Sequence, residues 1–349
     1  MARIVFADDG ISFDGRTPDN APIGGAETAF ISLAEAFAAR GHEVFVHNNC
    51  AARLTHKDVT WVPLDTSRAD YGLPETADLY IANRGDKMIP LLPGARRRVF
   101  WIHNPANYIL KWRYLLKIWR WKPVIVFSSA YHAASYPFWA PAGGRKIIPY
   151  GIDDLFRLAE PCQTPPSPRA VFTSNPLRSL DWLLDLWAER INPQAPQAEL
   201  HVYSGPATYG AVGDAKAARM APILDKARGL ADKGVVLRTP VPRQDLINEL
   251  KAARVLLYRG DTGETYCLAV GEAQAIGVPS VVQAIGCVGE RIIDGETGFV
   301  AVDDAAFVDD ALALLADDDL WTRQHQAALL QQRNWSWMKA AEKFEEILS

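Results

Sequence analysis

The stretch Thr262-Gly-Glu-Thr-Tyr-Cys-Leu-Ala-Val-Gly-Glu-Ala-Gln-Ala-Ile-Gly-Val-Pro279 reads as a loop feeding a short helix and then a buried strand. Glu264 sits among Gly and Thr, where loop geometry is favoured, while Glu272 falls inside an apolar, Ala-rich run that predicts a helix from about Leu268 to Ile276. Gly277 stops that helix, Pro279 lies just beyond it, and Ser280 to Gln283 resumes as a strand. The backbone N–H groups of Tyr266, Cys267 and Leu268 fall at the first turn, without intrahelical partners and at the positive end of the dipole. Such a terminus attracts phosphate. A carboxylate accepting two hydrogen bonds suits the diol of a sugar or ribose, so the stretch offers both halves of a nucleotide-sugar site.

Glu264 and Glu272, with seven residues between them and followed by Ala-Gln-Ala-Ile-Gly-Val-Pro, resemble the signature of the retaining glycosyltransferases of family four. Two glutamates at that spacing occur by chance in any chain of this size, and a surface helix with one solvated and one loop glutamate would also give them. The full phrase through Gly277 and Pro279 carries the resemblance. It implies an α/β chain of the GT-B fold: two Rossmann-like domains with parallel sheets facing each other across a cleft, and a C-terminal helix crossing back to the first domain. The implied activity is that of a hexosyltransferase, moving a hexose from a nucleoside-diphosphate sugar to a hydroxyl acceptor. A UDP-sugar is the favoured donor and a GDP-sugar the second.

At 349 residues and 49% hydrophobic content the chain can build two full cores. A formal net charge of −4 gives no global reason to expect nucleic acid, so any anion site must be local. The opening Met-Ala-Arg-Ile-Val-Phe-Ala-Asp-Asp turns acidic before a long apolar run develops, which argues against a signal peptide, and no stretch has the length of a membrane span. Cys50, Cys162, Cys267 and Cys287 are too scattered for a zinc or redox pair, and reduced thiols in the cytoplasm are the plain expectation. The run Asp317-Asp318-Asp319 reads as a solvated face, and no metal ligand set is assigned.

Arg3 to Ala7 predicts a buried first strand, and the polar loop over 10–24 leads to Gly24-Gly25-Ala26-Glu27, the start of a helix striped by Phe30, Leu33 and Phe37. Gly24 and Gly25 would let main-chain amides approach an anion closely; a tight packing turn is the alternative. Strands follow at Val44 to His47, Val59 to Val62, Leu79 to Ala82, Arg98 to Ile102 and Val124 to Phe127. His103 comes directly after one of them, at a carboxyl end where a parallel sheet forms its ligand crevice. It resembles the family's histidine near the transferred sugar; capping of the strand is the other reading. Residues 109–122 carry five cations and four aromatics with no acid. As a helix they suit either peripheral contact with an anionic membrane face, where a lipid-linked acceptor would be found, or a core helix with a wet basic side.

A Pro-rich segment over 158–168 reads as the linker between an acceptor-binding domain over 1–157 and a nucleotide-sugar-binding domain over 169–332. In the second domain strands are expected at Arg169 to Thr173, Glu199 to Tyr203, Val235 to Arg238, Val255 to Tyr258, Ser280 to Gln283 and Phe299 to Val302. After the first of these comes Ser174-Asn-Pro-Leu-Arg-Ser-Leu-Asp181, where the family has a basic pair for the donor pyrophosphate. Here only Arg178 is cationic, and uncharged Asn175 stands near the first position, leaving one charge for which Arg259 is a candidate. An ordinary helix-start arginine is the bland reading of Arg178. The turn Thr239-Pro-Val-Pro242 would by resemblance hold the base through its main chain. Residues 333–349 form the last, amphipathic helix, expected to pack on the first domain.

By the resemblance, Glu264, His103 and Arg178 carry the chemistry. Gly24, Gly25, Asn175, Arg178, Tyr266, Cys267, Leu268 and Glu272 bind the donor, with Glu264 fixing sugar hydroxyls and Glu272 the ribose. Metal and cofactor are not required, because oriented dipoles and a guanidinium hold the leaving diphosphate. The partners expected are the nucleotide sugar and a hydroxyl acceptor (a sugar, a lipid-linked sugar or a small molecule), in bacterial glycan or glycoconjugate synthesis. A GT-B epimerase or phosphorylase, and a non-catalytic nucleotide-sugar binder, share the frame and stay open.

Overall fold

The computed structural model describes residues 1–21 and 23–349, the side chains of 208–212 excepted; Pro22, in the polar loop over 10–24, lies outside the described residues. Two compact α/β units share the chain. One comprises Met1–Pro18, Gly25–Gly151 and Trp337–Ser349, the other Asp19–Gly24 and Ile152–Ser336.

The first unit has eight strands: β1 (Arg3–Ala7), β2 (Glu43–Asn48), β3 (Leu54–His56), β4 (Val59–Pro63), β5 (Thr76–Asn83), β6 (Gly94–Trp101), β7 (Val124–Phe127) and β8 (Gly144–Ile147), in the order β3-β4-β2-β1-β5-β6-β7-β8. All pairings are parallel except β3 with β4. Ile4, Val5, Phe6 and Ala7 are fully buried, as a strand covered on both faces requires. Two strands are not legible in the sequence. β3 is a three-residue antiparallel edge, and β8 is an edge of Gly, Arg, Lys and Ile whose cations suit it to solvent.

The second unit has β9 (Arg169–Phe172), β10 (Glu199–Tyr203), β11 (Val235–Arg238), β12 (Val255–Gly260), β13 (Ser280–Ile285) and β14 (Gly298–Ala301), all parallel, in the order β11-β10-β9-β12-β13-β14. Each sheet therefore reverses its winding beside a central strand: between β1 and β5 in the first and between β9 and β12 in the second. Loops leaving the carboxyl ends of such strands diverge, and the gap between them is where open α/β sheets take ligands.

Over 109–122 the structure corrects the reading of a single helix. A 3-10 turn, Ala106–Leu110, ends at extended Lys111, and the α-helix runs only Trp112–Trp121. Its Tyr114 and Ile118 are buried in the first core, whereas Trp112, Leu116 and Trp119 are 75%, 58% and 65% exposed. Among the described residues no helix is long and apolar enough to cross a membrane.

The terminal helix, Trp337–Glu345, belongs to the first unit, where it buries Trp337, Ala340, Ala341 and Phe344. The Phe344 ring meets Trp101 at 5.4 Å and Phe37 at 6.2 Å, both edge-on, and Arg40 Nη2 closes on Glu345 at 2.8 Å. Edge-to-face aromatic packing adds to the large area each ring removes from water. Phe344→Ala should therefore cost the first unit about 3–5 kcal/mol, read as a lowered urea midpoint of its unfolding transition.

Candidate functional site

In the second unit the two loops that flank the switch point meet. After β9, Asn175 shapes a turn: its Oδ1 accepts from Leu177 N–H at 2.9 Å and its carbonyl accepts from Arg178 N–H at 2.9 Å. Ser179, in left-handed backbone (φ 61°), then opens the helix Leu180–Leu186 and donates its hydroxyl to Gly260 O at 3.0 Å. This places Arg178 against the loop that follows β12. There Asp261 Oδ1 accepts from Gly263 N–H at 2.8 Å, and Asp261 O accepts from Glu264 N–H at 2.9 Å. Gly286, with φ +71°, lets this turn come close, since a Cβ there would lie 2.2 Å from Asp261 O.

Glu264 is thereby buried, and Arg178 Nη1 donates to its Oε2. Tyr258 Oη donates to the same oxygen at 2.8 Å. Burial keeps the Tyr258 phenol protonated, so it remains a donor. Arg178 and Glu264, 86 positions apart, thus form one charge pair, with Arg178 the more exposed partner.

Helix Leu268–Ala275 follows, capped by Cys267 in left-handed backbone (φ 65°). Of the three residues whose amides were expected at its first turn, Leu268 lies within it, Cys267 is the cap and Tyr266 precedes it, its ring 4.3 Å from the Arg291 guanidinium. Burial pushes the Cys267 thiol well above its ordinary range, so it behaves as an inert hydrophobe. Glu272, 7% exposed, lies on this helix against Arg243, Nη1 to Oε1 2.8 Å. Burial raises the Glu272 carboxyl and Arg243 opposes the rise.

In the first unit Gly25 opens the helix Gly25–Ala39, and Gly24 ends the segment grouped with the second unit. His103 is buried at the carboxyl end of β6. Its Nε2 lies 2.6 Å from Asn83 Oδ1, and its Nδ1 bonds Tyr150 Oη. Asn83 Nδ2 donates to Asp8 at 2.7 Å, so Asn83 Oδ1 must accept; this assigns the His103 proton to Nε2, with Tyr150 donating to Nδ1. Burial, and Arg84 behind it, hold the imidazole neutral. Arg84, left-handed at φ 52°, closes the network on Glu27 at 2.8 Å and Asp8 at 3.3 Å.

Several of these partners were not singled out in the sequence. Tyr258, Arg243, Asn83 and Arg84 sit in ordinary strand ends and helix starts, and the only signal for them was position at a carboxyl edge. Arg259 turns elsewhere, donating to Gln283 at 2.9 Å and stacking 4.7 Å over Trp182. The run Asp317 to Asp319 is exposed; Asp317 caps a helix through Leu320 N–H, and Asp318 meets Arg254 at 2.7 Å.

Comparison with known proteins gives this geometry a class. Residues 168–317 match the family described as glycosyl transferases group 1. Among solved structures, a sucrose-phosphate synthase from Thermosynechococcus elongatus is 17% identical with a TM-score of 0.72, covering 99% of this chain and 98% of that one. HepE of Anabaena is 14% identical with a TM-score of 0.71, covering 100% and 99%. The chain has the GT-B fold, and the residues that match the group 1 family, 168–317, fall within its second unit.

Two curated relatives, both named D-inositol 3-phosphate glycosyltransferase, are similar in part: one of Corynebacterium diphtheriae, 38% identical over 36% of this chain, and one of Corynebacterium efficiens, 31% identical over 34%. The chain spans only 29% and 28% of their respective lengths.

The Arg84 network has a stability consequence. Arg84→Met leaves Asp8 and Glu27 buried without their cation, a change that costs about 3–5 kcal/mol. Burial already raises the Asp8 carboxyl in the fold, and without Arg84 it rises further. A group raised in the folded state withdraws stability as pH climbs through its folded value. The variant's deficit should therefore be largest at neutral pH and shrink on acidification, measured by denaturation across that range.

Proposed function

We propose that this protein is a retaining, metal-independent glycosyltransferase that moves a hexose from a nucleoside-diphosphate sugar to a hydroxyl acceptor in bacterial glycan or glycoconjugate synthesis. The observation that carries the reading is the Arg178–Glu264–Tyr258 cluster at the switch point of the second sheet, with Glu272 on the short helix that follows. A guanidinium suits a diphosphate and two carboxylates suit diols, the groups of a nucleotide sugar, whose diphosphate lies between two diol-bearing sugars.

In this reading the Arg178–Glu264 pair is exchanged on donor binding. The pyrophosphate takes Arg178 and the sugar hydroxyls take Glu264, so neither buried charge is left alone. As the glycosidic bond breaks, charge builds on the diphosphate, and Arg178 with the first-turn amides stabilises the transition state more than the ground state. Gly24, Gly25 and Asn175 support the same anion through backbone and turn geometry, and Glu272 holds the ribose. His103 meets the transferred ring by releasing Tyr150, whose hydroxyl a sugar hydroxyl can replace. Uridine is the favoured base: one solved structure of HepE holds UDP and glucose, and a trehalose-6-phosphate structure from E. coli, with a TM-score of 0.71, holds UDP-2-fluoro glucose. Retention and independence of metal rest on the sequence resemblance. The second unit serves the donor and the first the acceptor.

Uridine or guanosine diphosphate sugars should stabilise the chain by about 2.7 kcal/mol at a hundred times Kd, in a thermal shift assay. Transfer should persist in EDTA with the anomeric configuration kept by NMR, and Glu264→Gln or Arg178→Ala should each lower kcat/KM by about 10²–10³. Absence of any nucleotide-sugar binding would sink the reading. Binding without turnover would favour the rival, a nucleotide-sugar binder, which the single cation at the diphosphate position supports.

The exposed Trp112, Leu116 and Trp119, beside exposed Lys111, Arg120 and Lys122, support peripheral contact with an anionic membrane from the cytoplasmic side. Vesicles containing phosphatidylglycerol should co-float the protein, and replacing Trp112 and Trp119 by Ser should weaken partitioning by at least about tenfold. Equal flotation of wild type and variant would refute this contact.

A further inference from the structure

Glu272 and its arginine differ from the Arg178–Glu264 pair in a way that gives Arg243 a task of its own. Arg243 is the first residue of helix Arg243–Lys251, directly after the Thr239-Pro-Val-Pro242 turn. Its guanidinium lies 4.8 Å from the Phe156 ring centroid and 3.9 Å from Asp153 Oδ2, with its side chain only 18% exposed. Phe156 and Asp153 reach it because the segment 152–157 packs tightly on helix Leu268–Ala275. A Cβ on Gly271 would lie 2.7 Å from Ile152 Cδ1, so any larger residue there would make the Ile152 side chain shift.

Arg243 is thus held by a ring and a second carboxylate, apart from Glu272. Arg243 Nη1 meets Glu272 Oε1 at 2.8 Å and holds the carboxylate by that oxygen. A carboxylate carries a second oxygen, which the arginine leaves to accept from a ligand's hydroxyls.

We propose that Arg243 is a positioning residue for the donor: stacked on Phe156, it holds one oxygen of the Glu272 carboxylate so that the other receives the diol of a ribonucleoside diphosphate, and so selects ribose. This rests on the donor reading above. A planar guanidinium suits the task because it can stack and carry charge at once; a lysine keeps the charge and loses the plane.

The test titrates the 349-residue chain with UDP and with 2′,3′-dideoxy-UDP. Hydrogen bonds from hydroxyls to a carboxylate contribute about 1.5–3 kcal/mol, so wild type should favour UDP by at least about tenfold. Arg243→Met should bring UDP binding down to the dideoxy level while dideoxy-UDP binding stays unchanged, and Arg243→Lys should recover part of the ratio. A purely structural pair would weaken both nucleotides together and keep the ratio, which overturns the proposal, as does a wild type that does not distinguish the two. Should the Met variant fail to fold, the ratio in the Lys variant decides: reduced selectivity supports the assignment and an unaltered ratio overturns it. Failure of wild type to bind either nucleotide, or their guanosine counterparts, instead defeats the donor reading itself.

Discussion

A carboxylate taken out of water must be given a cation or a set of donors, and that demand organises the carboxyl edges of both sheets. Glu264, Glu272, Asp8 and Glu27 are all buried, and each is met by an arginine from another element: Arg178, Arg243, and Arg84 for the last two. Breaking such a pair from one side strands a buried charge, so loops that carry these residues have little freedom to move independently.

The parallel sheets explain why partners so distant in sequence converge. In the second sheet β9 and β12 are neighbours wound in opposite senses, so the loops after them open side by side and bring position 178 to position 264. In the first, β1 and β5 do the same for Asp8 and Asn83, which extend the contact to His103 beyond β6. Left-handed backbone at Arg84, Ser179 and Cys267 marks the same edges. Non-glycine residues in that region are conformations that the surrounding hydrogen bonds must enforce.

Much of the fold was legible because buried parallel strands are short apolar runs at regular spacing, as at Ile4 to Phe6 or Val281 and Val282. Edges were not: β3 and β8 lack apolar density because one side of each faces solvent or carries cations. The helix near 112 was misjudged at its start, since extended Lys111 breaks it although no Gly or Pro marks the place. Which of its faces meets the core depends on the sheet beneath it, and Tyr114 and Ile118 are buried where Trp112 and Trp119 are not.

For the candidate site the sequence by itself determined the residue types and local geometry: two glutamates bracketing a short helix, one arginine after a strand, a histidine at a strand end. Periodicity and turn chemistry are local properties, and they suffice for that much. Only the tertiary structure decided the pairings, Arg178 with Glu264, Arg243 with Glu272 and Phe156, His103 with Asn83 and Tyr150. Charge compensation acts through space between loops from different strands, so it leaves no repeat or spacing along the chain from which it could be read.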